Sequence, residues 1–363
     1  MTVTFADKLA QLPNYEAGLP SADASERYGV ADVVKLASNE SAYPPNAAVA
    51  EAVAAAVQSV NRYPDPAAKV LRRGLAERHE TDPARVTVGN GSCEILLAAA
   101  EALCEPGAEI LFAWPAFSIY PHLSPLTGAR EVRVPLAEGD VHDLEAMLEE
   151  VTAATQLLLL CNPNNPTGTH VPAAEVGAFL ERVPRHVLVI LDEAYVDFQT
   201  NDDPDATVDL LADFPNLVCL RTFSKSHGLA GLRVGYALGP APFCCAVDAV
   251  RQPFSVNALA QAAASEALRH SDELAERIER TIVERVTVTE GVRELGLFTP
   301  DSHANFSWIA FGDRNEQEVI DGLGSRGVIV RGGTSLGGSG HIRVTYGRRP
   351  ENDRFLAALA EVI

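Results

Sequence analysis

Residues 156–192 read QLLLLCNPNNPTGTHVPAAEVGAFLERVPRHVLVILD. An apolar run at 156–161 gives way to a turn rich in asparagine and proline. An amphipathic segment follows over 173–182, then a second apolar run at 187–191 (VLVIL). Neither run alternates with polar residues, so both faces of each strand must be covered. Buried strands joined through a helical segment run parallel. The unit is strand–helix–strand, and the fold class it predicts is α/β.

The same rhythm continues in both directions. Helix-like segments fall at 46–60, 66–79 and 92–104, and further apolar runs at 85–88 (RVTV), 109–113 (EILFA), 130–134 and 217–221. Together they predict a mostly parallel sheet covered by helices on both faces. After Gly239 the pattern changes to a long helical stretch over 256–294, short strands at 304–310, 327–331 and 341–346, and a terminal helix from 351. That reads as a smaller α+β domain. The first 45 residues contain one strand-like piece, VVKLAS (33–38), and are expected to dock on the smaller domain. The expected division is 46–250 for the large domain and 1–45 plus 251–363 for the smaller one. The Gly/Ser-rich 332–340 (GGTSLGGSG) reads as a mobile loop between strands.

A formal net charge of −20 argues against a nucleic-acid footprint or attraction to an anionic membrane. Basic side chains are scarce, so those beside a pocket carry information. The six cysteines form no CxxC pair and no metal-type spacing, and read as small hydrophobes of a reducing cytoplasm. No metal site is expected. There is no signal-peptide pattern at the start and no apolar run near 18 residues, which makes a cytoplasmic location the expectation.

Ligands of open parallel sheets bind at the carboxyl ends of strands. RVTV is followed by GNGSCE, whose glycines open a helix with free N–H groups suited to a phosphate. EILFA is followed by WPAFSIY, QLLLLC by NPNNPTG, VLVIL by DEAY, and 217–221 by a turn ending in SKSHGLAGLRVG. Taken singly, GNGS is a turn, Phe117 a core ring, NPNNPTG a double turn, Asp192 a cap and Lys225 a solvated amine. Taken together, they supply what pyridoxal phosphate chemistry requires. The aldehyde needs a lysine amine for a Schiff base. The ring nitrogen needs a carboxylate, the phosphate a helix N-terminus, hydroxyls and an arginine, and the flat ring an aromatic face. Bringing a lysine from its reference pKa of about 10.4 to near 7 costs about 4.6 kcal/mol, which a desolvated site beside cations supplies and a surface turn does not.

The chain resembles the aspartate-aminotransferase superfamily of fold-type I pyridoxal enzymes, and within it the histidinol-phosphate aminotransferases. The resemblance runs through KLASNE (35–40), RYPDP (62–66), GNGSCE (89–94), CNPNNPTG (161–168), DEAYVDF (192–198), RTFSKSHGLAGLRVG (221–235) and RVTYG (343–347). It implies that Lys225 forms the Schiff base and shuttles the substrate Cα proton. Asp192 would pair with the pyridinium, and Tyr195 and Asn165 with the ring's phenolic oxygen. Phe117 would stack on the ring, while Ser92, the Cys93 backbone, Ser224 and Arg233 would hold the phosphate. Tyr63 would reach a neighbour's cofactor across a homodimer. Arg343 would clamp the glutamate carboxylate, Arg331 and Tyr15 would meet the substrate's phosphate, and Asn39 would line the substrate site. The glycines at 228 and 231 would let the lysine turn fold back.

Two departures stand out. Cys93 replaces the aspartate of the related G-S/A-D-E loop, keeping an N–H but losing a carboxylate. SAYPPN (41–46) replaces the usual segment after KLASNE. The resemblance implies transamination of histidinol phosphate with 2-oxoglutarate. The alternatives are an aromatic amino-acid aminotransferase and a decarboxylase of a phosphorylated amino acid. A regulator's ligand-sensing domain would need a DNA-binding module, for which there is no room. An ATP site would need GxxxxGK[ST], which does not occur, and a dehydrogenase loop would need one more glycine than GNGSCE has.

Overall fold

The computed structural model describes residues 3–14 and 18–363. Its central sheet has seven strands: β1 (Val86–Gly89), β2 (Glu109–Trp114), β3 (Arg130–Pro135), β4 (Thr155–Cys161), β5 (Leu188–Asp192), β6 (Leu217–Thr222) and β7 (Gly235–Leu238). Their spatial order is β1, β7, β6, β5, β4, β2, β3. Only the pairings of β7, with β1 and β6, are antiparallel. The alternation of side chains along a strand explains the unbroken leucines. Leu158 and Leu160 enter one core with Val189, Leu191 and Cys219. Leu157 and Leu159 enter the core on the opposite face with Ile190, Val218 and Leu220.

The α/β reading therefore holds, with one strand unforeseen. No helix separates β7 from the turn after β6, so the strand–helix rhythm gave no sign of it. The stretch over 256–294 is two helices, Ala258–Ala267 and Ser271–Glu294, because His270 leaves helical geometry (φ −119°, ψ 53°). The expected strand at 327–331 is split too. Val328–Ile329 pairs parallel with Val34–Lys35, which carries Leu36 into the smaller domain's core.

That domain's sheet is built from β8 (Phe306–Ala310), β9 (Arg331–Gly332) and β10 (His341–Thr345), with β10 central and both pairings antiparallel. The register sets Arg331 directly opposite Arg343. The 332–340 loop is tied down. Glu316 accepts from Thr334 N at 3.0 Å and Gly340 N at 2.9 Å, and Gly337 (φ +96°) leaves no room for a Cβ, which would lie 2.5 Å from Trp114.

At the ends of β5 and β6 a buried ion pair fastens the site's floor. Arg221 donates through Nε to Glu193 Oε2 at 2.8 Å and through Nη1 to Asp205 Oδ1 at 2.6 Å. Arg221→Met is expected to lower unfolding stability by about 3–5 kcal/mol, because it strands the buried Glu193 carboxylate. Adding Glu193→Leu should restore part of that loss in urea unfolding; equal losses in the single and double variants would refute the account.

Candidate active site

The carboxyl ends of β4, β5 and β6 and the start of helix Ser92–Leu103 face one cavity of about 320 Å³. Lys225 enters it from the turn after β6. Its Nζ donates to Ser38 O at 3.3 Å and stands 5.6 Å from the centre of the Tyr195 ring. Burial, joined by the charges of Arg343 and Arg233, pushes this amine down to about 8, with Glu40 and Cys93 opposing. The amine is thus far easier to deprotonate near pH 7 than an ordinary lysine, as a nucleophilic amine requires.

Asp192 closes β5 and is 1% exposed. Its Oδ2 accepts from the Tyr120 hydroxyl at 3.0 Å, whereas its Oδ1 is buried with no hydrogen-bond partner among the described residues. Burial raises this carboxyl to about 6. A desolvated carboxylate oxygen beside the cavity is a receptor for an N–H donor carrying positive charge.

The Tyr195 hydroxyl accepts from Asn39 Nδ2 at 2.9 Å, and burial pushes the phenol up. Asn39 is held at φ 53° by its N–H to Thr345 Oγ1 at 2.8 Å and by Asn305 Nδ2 to its carbonyl at 3.2 Å. Asn165, in the buried NPNNPTG turn, accepts from Arg343 Nη1 at 2.6 Å. Arg343 also donates to Ala37 O at 3.0 Å and lies 5.4 Å from the centre of the Phe306 ring. Arg331 and Arg343 are each 7% exposed, and both line the cavity. Phe117 presents a ring there and meets Tyr120 edge-on with centroids 5.8 Å apart.

At the other end lies an anion cradle. Gly91 (φ +74°) and Gly235 bring backbone so close that a Cβ would stand 2.4 Å from Arg233 Nη2 and 2.5 Å from Ser92 N, respectively. The first N–H groups of helix Ser92–Leu103, those of Ser92 and Cys93 among them, have no acceptor within the helix. Arg233 is itself left-handed (φ 59°) and reaches Ser224 Oγ at 3.4 Å. The Cys93 thiol is half-buried beside the cavity, and burial raises its pKa.

Tyr63, expected to reach a neighbouring copy's cofactor, does not line this cavity. Tyr63 is 81% exposed and stacks on Phe254 with centroids 4.5 Å apart. Tyr15 lies outside the described residues. Of the two glycines, only Gly228 takes a left-handed conformation (φ +71°); Gly231 does not. Sequence reasoning missed Tyr120, Ser38 and Leu336, which also serve this site. Tyr120 follows Phe117 by three residues in the same aromatic cluster, and that spacing was a usable signal; Ser38 acts through its backbone, which no sequence pattern reports.

The residues fit pyridoxal 5′-phosphate: an amine, an unsatisfied carboxylate oxygen where a protonated ring nitrogen would sit, and an anion cradle a side chain would fill. The family described as aminotransferase class I and II matches residues 31–359. An aromatic amino acid aminotransferase of Streptomyces coelicolor is 42% identical over 355 residues, 98% of this chain and 96% of the relative. A histidinol-phosphate aminotransferase of Geobacillus thermodenitrificans is 40% identical over 357 residues, 98% and 97% of the two chains. The crystal structure of histidinol-phosphate aminotransferase from Sinorhizobium meliloti in complex with pyridoxal-5′-phosphate is similar with a TM-score of 0.89 and 29% identity, covering 100% of this chain and 98% of that one. Matched along most of its length by sequence and by shape, the chain belongs to the pyridoxal-phosphate-dependent aminotransferases of class I and II.

Proposed function

We propose that the chain transfers the amino group of L-histidinol phosphate to 2-oxoglutarate, giving imidazole-acetol phosphate and glutamate, as a cytoplasmic homodimer of histidine biosynthesis. The observation that carries this reading is the pair Arg331 and Arg343, in register on neighbouring strands and both lining the cavity. Their placement suits substrates that bring anionic groups, a phosphate in one half-reaction and carboxylates in the other. The exposed stack of Tyr63 on Phe254 suits contact with a second copy.

The bound cofactor supplies an electron sink that makes the substrate's Cα proton acidic. Asp192 Oδ1 would keep the ring nitrogen protonated, and Tyr195 and Asn165 would hydrogen-bond the phenolic oxygen. Phe117 would offer its ring to the cofactor's. Ser92, the Cys93 N–H, Ser224 and Arg233 would hold the phosphate. Lys225 would hold the cofactor through its amine and would move the substrate's Cα proton.

A second reading, aromatic amino-acid transamination, is favoured by the Streptomyces coelicolor relative and by the apolar walls of Phe117 and Leu336. Both substrates bring a ring, and they differ in the phosphate. Arg331→Ala is expected to lower kcat/KM for histidinol phosphate about 10- to 100-fold, the worth of a hydrogen bond to a charged group, with a much smaller effect on phenylalanine. Equal losses, or a wild-type preference for phenylalanine, would give the second reading the site.

A further inference from the structure

The segment 41–46 (SAYPPN), where the chain departs from the related pattern, is held by side chains rather than by its own backbone. Pro44 and Pro45 have no N–H, so the segment is short of donors for its carbonyl oxygens. Arginines at two other elements supply them. Arg277, on helix Ser271–Glu294, donates through Nη2 to Pro44 O at 2.8 Å and through Nη1 to Tyr43 O at 3.2 Å. Arg348, just before helix Arg349–Val362, donates through Nε to Ala42 O at 3.0 Å. The Tyr43 ring has two guanidinium neighbours, 5.8 Å away at Arg280 and 5.6 Å away at Arg348.

Arg277 also reaches the lysine turn. Its Nη1 donates to His227 O at 3.4 Å, two residues beyond Lys225. Gly228 makes this approach feasible, since a Cβ there would lie 2.5 Å from Arg277 Nη1 and 3.2 Å from Tyr43 O. One guanidinium therefore joins two carbonyls of the segment after Asn39 to one in the turn that presents the amine. The Lys225 Nζ contact with Ser38 O spans the same two pieces of chain.

We propose that Arg277 is a positioning residue for transamination, locking the segment 41–46 to the Lys225 turn so that the amine and the wall carrying Asn39 keep one geometry. The inference rests on Lys225 being the amine that moves the proton. A planar fork serves three carbonyls at once, and a lysine ammonium at this position cannot span them. Ser92 and Cys93 of the phosphate cradle, at the start of helix Ser92–Leu103, lie outside the locked pieces, whereas Ser224 adjoins Lys225 in the same turn.

The test compares Arg277→Ala and Arg277→Lys with the wild-type holoenzyme, measuring bound cofactor, kcat and KM. With cofactor content unchanged, Arg277→Ala is expected to lose about 10- to 100-fold in kcat, the usual consequence of misplacing a reacting group by about 1 Å, while KM changes less. Arg277→Lys should recover part of the loss. Full activity in Arg277→Lys would overturn the proposal by reducing the role to charge. Activity falling in step with cofactor content would overturn it by reducing the role to folding. If the alanine variant does not fold, the lysine variant decides alone, with partial activity at full cofactor content supporting the lock. Retained catalysis in Lys225→Ala would instead remove the reading beneath it, whatever Arg277 does.

Discussion

Lys225→Ala is expected to abolish the visible absorption of bound cofactor and to lower kcat by at least about 10⁴-fold, since one change removes both the covalent attachment and the proton carrier. No other lysine can stand in. The remaining ones are Lys8, Lys35 and Lys69, and none of them lines the cavity. Lys35 is paired with Glu40 at 3.0 Å. The substitution carries a second signature in the cofactor-free protein. Folding lowers the amine from its ordinary 10.5 to about 8, so the folded state disfavours the ammonium. That penalty is absent above about 10.5, where the amine is neutral in both states, and complete below about 8. The alanine variant should therefore match or exceed the wild-type Tm at pH 7, with the advantage vanishing toward pH 10.5. A variant that keeps the visible band would refute the assignment of the amine.

Asp192→Asn is the second large expected loss, about 10²- to 10³-fold in kcat, the scale of removing one preorganised electrostatic partner. The amide brings a neutral group, and in one orientation a donor, to a position where a cationic ring N–H needs an acceptor. The cofactor's effect on stability gives an independent readout. The raised carboxyl pKa means that the contribution of Asp192 to folding is present below the ordinary 3.8 and lost as pH rises through about 6. At neutral pH the cofactor-free protein thus carries a buried, half-satisfied carboxylate. Binding of a positively charged ring relieves it. The gain in Tm on adding pyridoxal phosphate should grow between pH 5 and pH 7 in the wild type and stay flat in Asp192→Asn; parallel behaviour would show that another group faces the ring.

The parallel sheet was legible because Leu157–Leu160 must fill two cores at once, a requirement that leaves an unbroken apolar run in the sequence. The site was legible for a related reason. Asp192 and Lys225 each follow such a run, and the ends of parallel strands converge. β7 left no comparable trace, since its four residues are set off by Gly235 and Gly239 and follow a turn rather than a helix. Gly235 is there for close approach to Ser92, which is a tertiary demand that strand propensity does not encode. Arg277 was hidden for the opposite reason. Among Arg280, Arg285 and several glutamates on one long helix, it has the pattern of a solvated face, and only the prolines at 44 and 45 mark the carbonyls it serves.

β7 also fixes when the protein can first hold its cofactor during synthesis. Strands β2 to β6 are sequential and contiguous in space, so their half of the molecule can assemble as the nascent chain leaves the ribosome. The anion cradle cannot, because Gly91 to Cys93 and Ser224 to Arg233 are brought together only when Leu238 pairs with Val86 across most of the domain's sequence. That closure is the most non-local step of the sheet, and hence a slow one. With the cradle assigned as proposed, cofactor capture is expected only once the large sheet is complete.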